Sequence, residues 1–245
     1  MNLNNFQNTK LALLKLITTE QFPQNRLPSE AELAKKMRVS IVTLRQSLTV
    51  LAAEGYITKK QGLGNFIHHS ALDRNNRIDI TYCVENLLKI SGYAVETQLL
   101  DLSVQAPDDL EITAMRVDPQ DSILQIRLLY LADGDAAALE IHRVPRKFFI
   151  RDVPDNIRID KFDQFLWEYC DKSLAHEMIT WEPVLVTDEL SRMFQLPGGS
   201  PMLSWNQIIF DQADLETSHS QTFFNPKVIQ PRSLRKWNFG PRITD

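Results

Sequence analysis

Apolar residues recur at helical spacing three times in the first fifty-five positions, each time with polar residues between them. Leu11, Leu14 and Ile17 make the first stripe, within LALLKLI. In the second, Ser29 precedes an apolar run and Glu32 follows three residues on, the spacing of a capping box; Leu33, Ala34 and Met37 then form the buried face of a short helix. Arg38-Val39-Ser40 turns the chain. Ser40 caps a third helix whose Leu44, Leu48, Leu51 and Ala52 fall on one side, leaving Thr43, Arg45, Gln46 and Thr49 on the other. Gly55 suits the left-handed residue that ends such a helix. Tyr56 to Lys60 and Asn65 to Ile67 read as short strands joined by the turn Gln61-Gly62-Leu63-Gly64. Helix, turn, helix, hairpin predicts a winged helix-turn-helix, with candidate base readers on the polar side of its third helix.

Beyond the wing the pattern changes. His68 to Arg77 is polar with little to bury, and the adjacent His68 and His69 read as solvated, so the expected division is 1–69 as the winged domain, 70–77 as a linker and 78–245 as a second domain. Within the latter, Thr81 to Ser91 predicts a helix with Val84, Leu87, Leu88 and Ile90 apolar, closed by Gly92. A strand follows over Val95 to Val104, then a helix from Asp108 to Met115. From there a weak repeat runs through the chain. Val117 to Leu124 corresponds, 79 positions later, to Leu196 to Leu203. Each copy follows a helix (Leu110 to Met115; Asp188 to Phe194) and leads into a hairpin, Gln125–Ala132 with Ala137–Val144, and Ser204–Asp211 with Glu216–Phe224. Helix and hairpin used twice predict an α+β domain, an antiparallel sheet with its helices gathered on one side.

Composition narrows the class without naming it. The 245 residues, 43% hydrophobic and 24% charged, are those of an ordinary globular chain. No apolar run nears the roughly 20 residues of a membrane span, and Lys15 interrupts LALLKLI with no small-residue cleavage site after it. Cys83 and Cys170 are too far apart for a disulfide framework, so a cytoplasmic setting is expected. Charge is more informative once divided. Residues 1–69 hold nine Lys/Arg against four acids, a balance of +5, while the whole chain is −4, leaving −9 on the remainder. A basic head on an acidic body suits a protein whose head meets phosphates.

The first stretch also resembles the DNA-binding domain of the GntR family of bacterial transcription regulators. The resemblance rests on Leu27-Pro28-Ser29-Glu30, Glu32-Leu33-Ala34, Thr43-Leu44-Arg45-Gln46, Leu51, Glu54-Gly55 and Gln61-Gly62-x-Gly64-x-Phe66. It implies a homodimer on a palindromic double-stranded DNA operator, contacted through Ser29, Glu30, Ser40, Thr43, Arg45, Gln46, Lys60, Gln61, Gly62 and Gly64. Ala31 and Ile41 stand where the family carries arginines. The remainder, about Ile78 to Trp237, is similar to the UTRA effector domain of the HutC subfamily, which shares its fold with chorismate lyase. That likeness rests on the duplicated helix and hairpin and on Glu140 and Glu216. It implies a repressor controlled by a small-molecule effector near Arg127, Glu140, Phe165, Trp167 and Glu216. Leu129 replaces a second arginine, and Phe165 and Trp167 replace a serine and a tyrosine, so a less anionic or more apolar ligand than a sugar phosphate is expected.

The residues of the second domain also admit other roles. Arg127 in an apolar strand needs a carboxylate partner or a ligand anion, and an internal salt bridge, with Glu140 as one candidate, stands at least level with ligand contact. Phe162, Phe165, Trp167 and Tyr169 sit at helical spacing and read more readily as core than as pocket lining. Glu140 and Glu216 could pair as acid and base in a lyase-like enzyme, yet no nucleophile or phosphate cradle accompanies them. His142, His176 and His219 read as isolated, so no metal is expected, nor any cofactor. A winged helix used only for protein contacts is the remaining alternative.

Overall fold

The computed structural model describes residues 3–80, 83–154 and 156–236 and divides into two compact units. One comprises Met1–Tyr82 together with Pro231–Asp245; the other is Cys83–Gln230.

The first unit contains helices α1 (Leu3–Thr19), α2 (Glu30–Met37) and α3 (Ile41–Ala53) and a hairpin of β1 (Ile57–Lys60) and β2 (Gly64–Ile67). Leu14 and Ile17 of α1 are buried with Leu33, Leu44, Leu48 and Leu51 in one core. The first stripe is offset from the expected one: Leu11 is 56% exposed and Leu13 is buried in its place. Leu13, Leu14 and Ile17 follow i, i+1, i+4 and so centre the buried arc one position later. Ser29 closes the expected capping box, its hydroxyl accepting from the Glu32 amide while the Glu32 carboxylate accepts from the Ser29 amide. Gly55 has φ +81° after α3, as the end of that helix requires. The segment after the wing is not a solvated tether. His68 contacts Thr58 Oγ1 and the Gly55 carbonyl, His69 contacts Asn25, Ala71 is buried, and Arg77 is 3% exposed.

The second unit carries α4 (Val84–Ile90), β3 (Val95–Gln105), α5 (Asp109–Ala114), β4 (Ile123–Ala132), β5 (Asp135–Pro145), α6 (Phe162–Cys170), β6 (Leu174–Leu185), α7 (Asp188–Phe194), β7 (Pro201–Asp211) and β8 (Glu216–Phe224). Its six strands form one antiparallel sheet in the order β3-β4-β5-β8-β7-β6. The predicted repeat is the organising feature of this sheet. Hairpins β4-β5 and β7-β8 meet along β5 and β8, with Glu140 opposite Thr222 and Arg143 opposite His219. Each hairpin is preceded by a capped short helix, α5 behind Asp108 and α7 behind Thr187. The start of the helix predicted from Thr81 lies outside the described residues; α4 is described from Val84, with Val84, Leu87 and Leu88 buried.

The helices lie on both sides of the sheet rather than on one. Successive strand residues point to opposite faces, and β5 splits accordingly. Leu139 and Ile141 pack with α7 residues Leu190 and Phe194, and Arg143 reaches α5 at Glu111. His142, one residue away, stacks on Phe162 of α6 at 3.5 Å. Central strands covered on both faces read as near-continuous apolar runs, which is why Ile123–Ala132 shows no clean alternation.

Candidate nucleic-acid interface and ligand site

In the first unit the buried stripe of α3 fixes which residues face solvent. With Leu44, Ser47, Leu48 and Leu51 inside, Arg45, Gln46 and Thr49 are exposed and Thr43 is half-buried. Ser40 Oγ accepts from the Thr43 amide at 3.0 Å, so the hydroxyls of Ser40 and Thr43 sit together at the positive end of the helix, a favourable place for a phosphate oxygen. Arg45 is 61% exposed at its side chain and donates from Nε to Glu30 Oε2 at 2.6 Å. Glu30, at the start of α2, therefore holds one edge of the guanidinium and leaves the terminal nitrogens free to meet an anion or a base edge.

The wing adds a second surface. Lys60, Gln61, Gly62 and Gly64 are all exposed. Gly62 has φ +73° and Gly64 φ +101°, conformations that disfavour any other residue. Between this turn and the N-terminus of α2 runs a groove of about 840 Å³ lined by Arg26, Ser29, Glu30, Lys59, Lys60 and Gln61, among others. The structure thus brings Ser29, Glu30 and Arg45 together with Lys60, Gln61, Gly62 and Gly64 along one groove and the adjoining helix face. Two members of this surface were missed in the sequence. Arg26 lies beside the wing, where a Cβ on Gly64 would come within 3.4 Å of its Nε. Val42 is 60% exposed on α3, beside Ile41 at 39%. Both aliphatic side chains are suited to thymine methyl groups. Only a cation count pointed to Arg26, and an apolar residue at a helix start carries no contact signal.

In the second unit the predicted ligand residues separate. Arg127 pairs with Glu189 of α7, not with Glu140, because it stands opposite Ile141 and so shares the α7 face. Glu140 is on the other face. It accepts from Tyr130 Oη at 2.8 Å and Thr222 Oγ1 at 3.3 Å, and its Oε2 lies 3.3 Å from His142 Nε2. Burial alone would push the Glu140 carboxyl up; the charge and hydrogen bonding of His142, with the hydroxyls of Tyr130 and Thr222, outweigh it and hold the group below its ordinary value. Thr222 also reaches Gln207, and Gln207 donates to Glu177, whose carboxyl burial raises. Beside Thr222, the buried indole N–H of Trp205 has no hydrogen-bond partner among the described residues. Phe165 is buried against Phe162 and Tyr169, whereas Trp167 is 60% exposed on the outer side of α6. Glu216 begins β8, six residues from Thr222, which is about 20 Å along a strand. Glu140 and Glu216 therefore do not form a pair.

The histidines are less isolated than expected. His142 belongs to the Glu140 cluster, His176 lies 3.3 Å from Asp214, and His219 lies with Asp108 and Glu111. In the last group the Arg143 guanidinium contacts both carboxylates, making it an ion-pair lattice that fastens α5 to the sheet.

A winged helix with an exposed, hydrogen-bonding α3 face, followed by an α+β unit with a buried polar cluster, defines a DNA-binding regulator with a sensing domain. The comparisons agree. Residues 8–67 match the family described as bacterial regulatory proteins, gntR family, and residues 91–229 match the UTRA domain. The chain belongs to the UTRA-containing GntR regulators. The histidine utilization repressor of Pseudomonas putida is 24% identical over 187 residues, covering 74% of this chain and 71% of that one. The HTH-type transcriptional repressor NagR of Bacillus subtilis is 20% identical over 206 residues, 82% of each. The alignment with YurK of Bacillus subtilis, 25% identical, spans 60% of this chain and 63% of that relative. Among solved structures, the possible transcriptional regulator YydK from Bacillus subtilis superposes with TM-score 0.75 at 17% identity, over 95% of this chain and 99% of the other. These relatives are regulators, so the lyase-like reading gives way.

Proposed function

We propose that this chain is a cytoplasmic, homodimeric repressor that binds a palindromic DNA operator and whose affinity for it is set by a small molecule held in the second unit. Each protomer places α3 in a major groove and runs its wing along the neighbouring minor groove. Arg45 is the principal reader, bidentate to a guanine or a phosphate, with Ser40, Thr43 and Gln46 on the same helix. Ser29, Lys60, Gln61 and the two wing glycines contact backbone. The observation that carries this reading is the exposed face of α3, where Glu30 orients Arg45. Ala31 and Ile41 replace family arginines, and Ile41 stands beside the exposed Val42, so the operator differs from the usual one.

The effector site belongs with Glu140, Tyr130, His142 and Thr222, between the sheet and α6. An ionised, buried carboxylate bonded to Thr222, with the indole N–H of the opposing Trp205 lacking a partner among the described residues, favours a hydroxyl-rich or cationic ligand over a phosphate ester. Arg127, engaged by Glu189 on the opposite face, is not available there. The test is direct. A duplex selected by the full-length protein from a randomised library is titrated by fluorescence anisotropy, with and without metabolites that raise the protein's melting temperature. Metabolites that bind the protein yet leave duplex affinity unchanged would refute the control by effector, and failure to select any duplex would refute the DNA reading.

A further inference from the structure

The last carbonyls of a helix lack intrahelical donors and carry its negative end. Those of α3 and its cap are met by two side chains, and a third holds the carbonyl just past the helix. Lys236 Nζ donates to the carbonyls of Ala52 and Ala53, Arg77 Nη2 to that of Glu54 at 3.0 Å, and His68 Nδ1 contacts that of Gly55 at 2.9 Å. Arg77 is itself locked by Asp79 and lies over the Tyr56 ring. Leu234 packs on the same core as Leu44 and Leu48, close enough that a Cβ on Gly55 would come within 2.6 Å of its Cδ2. Two of these clamps flank the effector unit in the chain: Arg77 precedes Cys83, and Leu234 and Lys236 follow Gln230. The two segments are also joined to each other. Arg77 and Arg232 form a parallel bridge, with Arg232 donating to the Asn76 carbonyl and Ile78 to the Arg232 carbonyl. Arg232 further pairs with Asp73.

We propose that the segment 231–236 is a strap belonging to the DNA-reading unit, in which Leu234 and Lys236 are positioning residues that set the C-terminal end of α3. The bridge to Arg77 makes it one half of a paired joint through which the effector unit can act on that helix. This rests on the reading of α3 as the recognition helix, so its test has one arm that needs no DNA. Hydrogen exchange of full-length protein measures protection of the amides at the end of α3 and of Gly55 and Tyr56. Lys236→Met keeps the stem but loses the charge; Lys236→Arg keeps donors for the carbonyls.

Lys236→Met is expected to lower protection there and to weaken binding of the selected duplex by about fivefold, the equivalent of roughly 1 kcal/mol at a helix terminus. Lys236→Arg should restore both. A chain ending at Gln230 should lose more of each while retaining the thermal transition of the second unit. Should that shortened chain fail to fold, the two full-length variants decide. Unchanged protection in Lys236→Met, or equal effects of Met and Arg, overturns the strap. Loss of protection in a protein that selects no duplex would uphold the strap's placement and refute the DNA reading instead.

Discussion

Arg45 shows how a side chain can be both exposed and ordered. A free surface arginine loses rotamer entropy when it meets DNA; here Glu30 already restrains the guanidinium through Nε. Arg45→Ala should therefore weaken specific binding by about 1–3 kcal/mol with the fold intact, measured by anisotropy beside circular dichroism. Glu30→Gln should act differently, raising affinity for unrelated duplexes by removing a charge near the phosphates while narrowing the ratio of specific to non-specific binding. In the second unit, Glu177 offers a pH test. Burial raises its carboxyl, so between the unfolded and folded values the native state binds more protons, and stability falls as pH rises through that window. Glu177→Gln, which keeps an acceptor for Gln207, should melt higher than the natural protein at pH 7, and the gap should close in acid.

At the scale of elements, the wing turn is the most sensitive point. Nothing crowds Gly62, yet φ +73° there is strained for a branched side chain. Gly62→Val should cost about 1–2 kcal/mol in the first unit's stability, read by thermal melting, and should reduce DNA binding beyond that loss. Elements with a local signal were legible in the sequence: the capping box at Ser29, the helix from Asp108, the stripe of α3, the turn at Gly62, and α7 and β8 over their full spans. β6 had none. It is an edge strand whose burial does not alternate cleanly, it holds Glu177, Glu182 and Pro183, and only its pairing with β7 makes it a strand. The ligand cluster was half legible for a similar reason. Glu140 was marked by the resemblance to the UTRA domain, but its partners Tyr130, His142 and Thr222 are selected by strand register and facing, which no single segment encodes. Arg127 does form an internal salt bridge, but one residue of register turns it from the candidate Glu140 to Glu189.

The molecule as a whole is divided by charge, +5 on residues 1–69 against −9 on the rest. An acidic second unit repels phosphate, so DNA contact should be confined to the first, and the slope of log affinity against log salt should count only the cations of α3, the wing and Arg26, at about −0.9 per phosphate neutralised. A chain carrying Arg26→Ala and Lys60→Ala together should flatten that slope by roughly two. Sedimentation of the free protein should give twice the 28.2 kDa chain mass for the proposed homodimer.

The dependence of the winged core on Leu234 has a consequence for biogenesis. Helices α1 to α3 and the hairpin leave the ribosome early, but the aliphatic group that completes their packing arrives only after the whole intervening unit has been made. During synthesis the early part waits with its seat for that half-buried residue uncovered until the sensor has been translated.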